Sequence, residues 1–445
     1  MGKFVDRPKY ICAMGGAVAT LNALPGVVPI LHAAAGCGFN ISNAINGGGG
    51  YVGSGYCGGQ SLPSSNVFER EIVFGGEGRL KQQILSTMEI VEADIYFVIT
   101  GCMVEMIGDD AESVVKSLDK GKRLFAADTG GFRGNSYKGY DIVLSKLFTE
   151  YVEANHKKDE RLVNLWGVVP VQDVYWKGNL RVLKRLVEGL GYKVNTFFGE
   201  DETLENLKNS SKAVLNIVVS DTYGVDAAKT FKEVHGTDYI TVDFPIGDHG
   251  TTRFIEKVGT ALGVSGELIN ELIEKERRRY YGYLERVVDA YSDFDLQRYA
   301  VVVGDVNYTQ GITRFLADDL GWLPELVVIN DLIKEEQKEI VARKFTDYES
   351  GIKPELVFNT DASGVLKHIN RHWEENRGSR YYNSMTPAFV IGSSIEKETA
   401  QKINAQHLSV MYPVSNRVVL DRAYAGFDGA LTLTEDILSV LLESR

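Results

Sequence analysis

Three cysteines, Cys12, Cys37 and Cys102, are the residues of this chain best suited to chemistry. They are widely separated and no CxxC pair is present. Each sits among glycine or small residues, as in Cys12-Ala13-Met14-Gly15-Gly16, Ala35-Gly36-Cys37-Gly38 and Thr100-Gly101-Cys102. Thiolates are soft ligands that suit iron–sulfur clusters, and small neighbours let a bulky cluster approach backbone N–H groups. A lone buried cysteine is otherwise a small hydrophobe. Residue types alone leave two readings level: three ligands to one electron-carrying centre, or three structural thiols in a cluster-free binding protein.

Other constellations carry less. Cys57 lies in a glycine-rich stretch, residues 47–59, that reads as a surface loop or as a cover over a cofactor or partner. No GxxxxGK[ST] occurs, so the chain lacks the loop through which P-loop proteins hydrolyse ATP. Gly75-Gly76 ahead of a helical pattern could favour an anion, or simply start a helix. The seven histidines are scattered without an HExxH pattern, and His32 is expected to hydrogen-bond in the core rather than bind metal. Glu105, Asp109 and Asp110 read as helix caps and solvated charge. Residues 274–281 read as a solvated helix face with its aromatic side buried.

Such residues need a scaffold, and 445 residues are too many for one hydrophobic core; about three domains are expected. The net charge of −12 argues against nucleic acid as main partner, because phosphate binding needs a basic face. Four cysteines make no disulfide framework, and residues 1–10 hold no apolar signal segment. The apolar stretch 23–35 is too short for a bilayer and contains two prolines. No membrane association and a cytoplasmic location are therefore expected.

Strand-like runs alternate with helical patterns throughout, the signature of parallel α/β architecture. Strands are expected at 27–31, 95–100 and 124–127, then at 163–169, 194–198, 214–220 and 239–242. Further strands are expected at 299–303, 326–330, 356–359, 388–391 and 408–412. Helices are expected at 78–91, 111–118 with Asp109 or Asp110 as N-cap, 179–190 closed by Gly191, 265–291 and 431–442. The charged run 156–161 marks a boundary, giving segments 1–160 (with the cluster cysteines), 161–295 and 296–445, the last helix returning to pack near the first.

Several strings, taken in order, resemble the β-type subunit of nitrogenase component 1 and its nitrogenase-like relatives over nearly the whole chain. Cys102-Met103-Val104-Glu105-Met106-Ile107-Gly108-Asp109-Asp110 is close to the family's C-x-x-E-x-I-G-D-D segment. Ser64-Ser65-Asn66 followed by Val73-Phe74-Gly75-Gly76, and Gly178-Asn179-Leu180 with Leu183-Lys184-Arg185-Leu186, also find counterparts. So do Phe244-Pro245-Ile246-Gly247, Gly304-Asp305, Pro413, Arg417, Arg422 and Gly426-Phe427-Asp428-Gly429-Ala430, the last group resembling the β-type ending.

The resemblance implies three Rossmann-like α/β domains with parallel sheets flanked by helices. It places Cys12, Cys37 and Cys102 on the β-side ligands of a P-cluster, of [8Fe-7S] or [4Fe-4S] type, shared with an α-type subunit in an α2β2 assembly, and makes Cys37 the residue that bridges the two halves. A separate ATP-hydrolysing iron protein would supply electrons, docking near Phe74, and the active-site cluster would lie in the α-type chain.

Departures from the pattern are specific. A longer N-terminal extension is missing, and Gly131 replaces a serine that can ligate the oxidised cluster in many members. Asn416 and Ser220-Asp221 fall where an α-type chain has its cofactor histidine and cysteine. These differences fit a nitrogenase-like reductase such as methylthio-alkane reductase, which cleaves C–S bonds. A dinitrogen-reducing subunit and a cofactor-assembly scaffold are the alternatives.

Overall fold

The computed structural model describes residues 5–51, 62–118, 121, 123–154, 157–293, 296–375 and 388–443. Cys57 therefore lies outside the described residues. The first part of the chain runs α1 (Ala13–Asn22), β1 (Val27–His32), α2 (Ala35–Gly48), β2 (Gly49–Tyr51), α3 (Glu69–Phe74), α4 (Glu77–Ile90), β3 (Ile95–Thr100), α5 (Cys102–Ile107), α6 (Ala111–Leu118), β4 (Leu124–Asp128) and α7 (Ser136–Glu150). The middle follows with β5 (Leu162–Trp166), α8 (Trp176–Glu188), β6 (Lys193–Asn195), α9 (Leu204–Lys208), β7 (Leu215–Val218), α10 (Val225–His235), β8 (Tyr239–Thr241), α11 (Gly247–Ala261), α12 (Gly266–Leu284) and α13 (Val288–Asp293). The last part holds β9 (Tyr299–Gly304), α14 (Val306–Arg314), β10 (Leu323–Ile329), α15 (Glu335–Arg343), β11 (Glu355–Phe358), α16 (Val365–Glu375), β12 (Ala388–Gly392), α17 (Glu396–Lys402), β13 (Gln406–Ser409), β14 (Val414–Val418) and α18 (Gly426–Glu443).

Among the described residues three parallel sheets of three to five strands result, ordered β1-β3-β4, β6-β5-β7-β8 and β11-β10-β9-β12-β13, with β2 and β14 as a separate two-stranded pair. Parallel strands are covered on both faces, which is why Ile95–Thr100 is apolar almost throughout and wholly buried. The register pairs His32 with Thr100 and Thr100 with Asp128, so β1, β3 and β4 end level with one another. Everything that follows these strands emerges at one edge. Ligands in open α/β sheets bind at that carboxyl edge.

Helix α1 crosses α7 so closely that only glycine fits at the contact. A Cβ on Gly16 would fall 2.0 Å from the Ser136 carbonyl oxygen, and one on Gly139 would fall 1.9 Å from that of Ala13. The Gly178-Asn179 pair has a comparable cause. Gly178 lets the Arg422 carbonyl approach, while the buried Asn179 side chain accepts from the Tyr424 and Ala425 N–H groups and donates to Asp173 and the Tyr308 hydroxyl. One amide thus ties the middle of the chain to its last part.

Some expected elements differ. The strand foreseen at 194–198 stops at Asn195, because Phe197 takes a left-handed φ of 65° that turns its ring into the core. The strand at 163–169 ends at Trp166, where Gly167 has φ 102°. The helix foreseen at 265–291 begins as expected, with the Ser265 side chain accepting from Leu268 N–H, but gives way after Leu284 to a 3-10 turn and α13. The final helix starts earlier, at Gly426, and packs on α8, α11 and α12 of the middle part rather than near the first. What does return to the first part is β14, which pairs in parallel with β2.

Candidate metal centre

The structure brings the three cysteines together. Cys12 is the N-cap of α1, fixed by the Ala13 N–H donating to the Gly134 carbonyl at 3.0 Å and by bridge pairing with Asn135. Cys37 lies in the first turn of α2, three residues beyond the Ala34 cap. Cys102 opens α5 directly after β3, where Gly101 allows close approach: a Cβ there would lie 2.8 Å from that of Ala33.

A loop after β4 closes the site. The Gly131 N–H donates to Cys102 Sγ at 2.9 Å. A Cβ on Gly131 would stand 3.2 Å from Cys102 Sγ and 4.0 Å from Cys12 Sγ, so both sulfurs border the space above this glycine. Cys37 is close enough for the other two to act on it. Burial pushes its thiol up from the usual range, and Cys12 and Cys102 push it further. Cys12 and Cys102 are exposed and Cys37 is half-buried.

Three thiols beside backbone N–H groups are a donor set of the kind an iron–sulfur cluster uses. Among the described residues no three His, Cys, Asp or Glu side chains are grouped to hold a single metal ion. A cluster spreads its ligands over several metals and accepts N–H groups at its sulfurs. Gly36, beside Cys37, has open space where its side chain would be. Three large apolar side chains near the cysteines or Gly131 in the chain, Phe39, Met106 and Phe132, are exposed. Exposed apolar surface of this kind marks an interaction face.

Glu105, read from sequence as a cap or solvated charge, is neither. Its side chain is 6% exposed and binds three groups, accepting from Thr100 Oγ1, Gly130 N–H and Arg133 Nε, each at 2.6 Å. It clamps the 129–133 loop onto α5 and so holds Gly131 over Cys102. Asp109 is likewise internal. It accepts from Gly76 N–H at 3.0 Å and lies 3.0 Å from His32 Nε2, while His32 Nδ1 meets Ser65 Oγ at 2.9 Å. The chain's own carboxylate thus occupies the anion position foreseen at Gly75-Gly76. Asp110 caps α6, accepting from Ser113 N–H. His32 is wholly buried, and burial lowers its pKa against the opposing pull of Asp109.

Phe74 is the last residue of α3 and is 83% exposed. Gly75, with φ 87°, turns the chain back so that Gly76 reaches Asp109. The segment just after Phe74 is thereby tied, through Gly76 and Asp109, to the end of the helix that begins at Cys102. In residues 274–281, Tyr280 is buried as expected but Tyr281 is 46% exposed, and Glu276 is buried too, held by Arg185 at 2.6 Å. Asp221 pairs with Lys344, and Asn416 accepts from Ser394 Oγ at 2.8 Å.

Comparison with known proteins agrees with this architecture. A family model for nitrogenase component 1 type oxidoreductases matches residues 12–442. The nitrogenase molybdenum-iron protein beta chain of Methanococcus maripaludis is 21% identical, the match covering 99% of this chain and 95% of that one. One chain of the light-independent protochlorophyllide reductase of Roseiflexus sp. (strain RS-1) is 22% identical over 81% of this chain, which spans 64% of that relative's length. A solved structure of nitrogenase Cp1 at pH 6.5 superposes with a TM-score of 0.79 at 21% identity, covering all of this chain and 94% of the other. The chain belongs to the nitrogenase component 1 type oxidoreductases, on their β-type side.

Proposed function

We propose that this chain is the β-type subunit of a nitrogenase-like two-component reductase. Cys12, Cys37 and Cys102 would hold half of a P-cluster-type iron–sulfur centre, shared with an α-type subunit in an α2β2 assembly. When bound, such a centre supplies one-electron transfer between an ATP-hydrolysing iron protein and an active-site cluster in the α-type chain. The observation that carries this reading is that the Cys12 and Cys102 sulfurs border the same space over Gly131 while Cys37 lies near enough for both to act on it, each of the three at a helix start.

The chain's own residues position and insulate. The Gly131 N–H donates to the Cys102 sulfur and fixes its direction. Partial burial of Cys37 disfavours a bare thiolate, so charge on that sulfur needs positive metal beside it. Phe39, Met106 and Phe132 would be covered by the α-type subunit, excluding solvent from the shared site. Phe74 offers an exposed ring to the iron protein. No acid–base role falls to this chain.

The substrate reading is a small methylthio-alkane, resting on Gly131 in place of the serine that can ligate the oxidised cluster; Ser220-Asp221 and Asn416 bear only on the absence of the α-type cofactor ligands. Reductive cleavage of its C–S bond takes two electrons and two protons and yields one C–H and one S–H bond. The test is the purified complex assayed with iron protein, ATP and a methylthio-alkane, alongside dinitrogen. Thiol and alkane are expected. Ammonia without thioether cleavage would reassign the substrate, and absence of any reduction by fully cluster-loaded protein would remove the relay role.

A further inference from the structure

Two of the three cysteines are held from outside the first part of the chain. The segment leading into Cys12 runs against the last part: the Arg7 N–H donates to Asp361 Oδ1 at 3.1 Å, and the Arg7 carbonyl accepts from Ala362 N–H at 3.0 Å. Lys9 then sends its side chain inward, where the ammonium meets Glu396 Oε2 at 2.6 Å, the two side chains being 5% and 1% exposed. Glu396 opens α17 shortly after β12 and also accepts from the Ser393 N–H and hydroxyl, each at 2.8 Å.

Helix α2, which carries Cys37, is gripped by the neighbouring loop. Tyr412 follows β13, is buried, and donates its hydroxyl to the Ala44 carbonyl at 2.9 Å. Its ring lies so close to the end of α2 that a Cβ on Gly48 would stand 2.6 Å from it. Strands β12 and β13 are parallel neighbours, and the Ser394 N–H donates to the Pro413 carbonyl at 2.8 Å. Both grips therefore belong to one joined pair of loops at the carboxyl edge of the last sheet. Cys102, by contrast, is seated by β3 and the 129–133 loop of the first part. We infer that Lys9 and Tyr412 are positioning residues for the cluster, setting Cys12 and Cys37 against Cys102 from the edge of the last sheet. This rests on the reading of the three cysteines as cluster ligands.

Reach, charge and packing support it. The three residues from Lys9 to Cys12 span at most about 10 Å, so an ammonium fixed in the last part limits where Cys12 can stand. The bridge to Asn135 and the Ala13 bond to Gly134 fix it from the other side. Lys9 also lines a small cavity with Asp305 and Asp331, so one ammonium serves three interior carboxylates. Withdrawing it would leave those charges bare, which ties the anchor in place. The Arg7–Glu398 pair, about half-exposed on both sides, could not hold a ligand in this way. At Gly48 the close packing leaves no slack, so ring and helix end move together.

The test uses the anaerobically purified, cluster-loaded complex and compares the parent with Lys9→Met/Glu396→Gln, Tyr412→Ala, Tyr412→Phe and Val390→Ala. The double variant removes both charges of the pair at once. Val390 is buried in β12 within a core separate from that of Tyr412, so its variant reports mere weakening of the last part. Iron release to a chelator should quicken by at least about tenfold in the double variant and in Tyr412→Ala, with a changed electron paramagnetic resonance spectrum of the cluster. Tyr412→Phe keeps the ring on Gly48 and should restore the parent spectrum. Val390→Ala should lower the thermal transition with release and spectrum unaltered. Amide exchange over residues 11–13 and along α2 is read without a cluster and should quicken by about tenfold in the same two variants. Parental exchange in both would overturn the inference, as would parental release and spectrum in both, or equal changes in Val390→Ala. A parent without iron would overturn the cluster reading and with it the ligand role, while quickened exchange would still uphold the anchoring.

Discussion

Replacing Glu105 probes the clamp that seats Gly131 over the cysteines. In Glu105→Ala, the buried Gly130 N–H and the Thr100 hydroxyl both lose an acceptor at 2.6 Å. Leaving a buried donor unpaired costs about 1–3 kcal/mol, and two such losses give roughly 3 kcal/mol allowing for partial relaxation. The Arg133 pair adds little, because that side chain is 40% exposed and keeps Asp128 at 2.8 Å. The loss is local, so the suitable readout is amide hydrogen exchange in a peptide spanning the 129–133 loop. A drop of roughly 3 kcal/mol in opening free energy speeds exchange by about a hundredfold. Glu105→Gln keeps an acceptor but loses the charge, and about tenfold is expected. Exchange less than about threefold faster in Glu105→Ala would refute the clamp.

Phe74→Ala should slow electron delivery from the iron protein by about tenfold, as loss of an interface aromatic does, while iron content stays constant; an unchanged rate would reject the docking role. Gly139→Ala forces a methyl against the Ala13 carbonyl and should lower stability by about 1–3 kcal/mol, read as an earlier thermal transition; an unshifted transition would mean that α1 and α7 do not pack as described. His32 gives a pH signature. Its pKa is lowered in the folded chain, so the unfolded chain binds the proton first as pH falls. The resulting loss of stability sets in below about 6.5 and is absent above it. His32→Gln should flatten that part of the stability profile, and an identical slope in the variant would contradict the assignment.

Much of the fold was legible in the chain because fully buried parallel strands are short unbroken apolar runs bounded by turns. Ile95–Thr100 and Val27–His32 are of this kind. Helices α1 and α2 escaped notice for opposite reasons. The first is buried nearly all round and shows no polar face, and the second is rich in glycine and asparagine, which are poor helix formers. The three cysteines stood out by their glycine neighbours, yet residue types alone left them undecided between ligands and packing. Their convergence depends on β1 and β3 ending level and on the glycine contact between α1 and α7, neither of which is visible locally. The role of Glu105 was hidden because its acceptor groups face partners on a loop beyond the next strand. Asp109 was hidden likewise, since its partners precede it in the chain by a whole strand and helix or more.

The most direct measurement is iron content per chain after anaerobic purification with its native subunits, for the parent protein and for Cys12→Ala, Cys37→Ala, Cys102→Ala and Cys57→Ala. Iron bound by the parent, lost in the first three variants with Cys37→Ala abolishing binding, and nearly intact in Cys57→Ala is the expected result. An active parent free of iron, or equal loss in Cys57→Ala and Cys37→Ala, would contradict it.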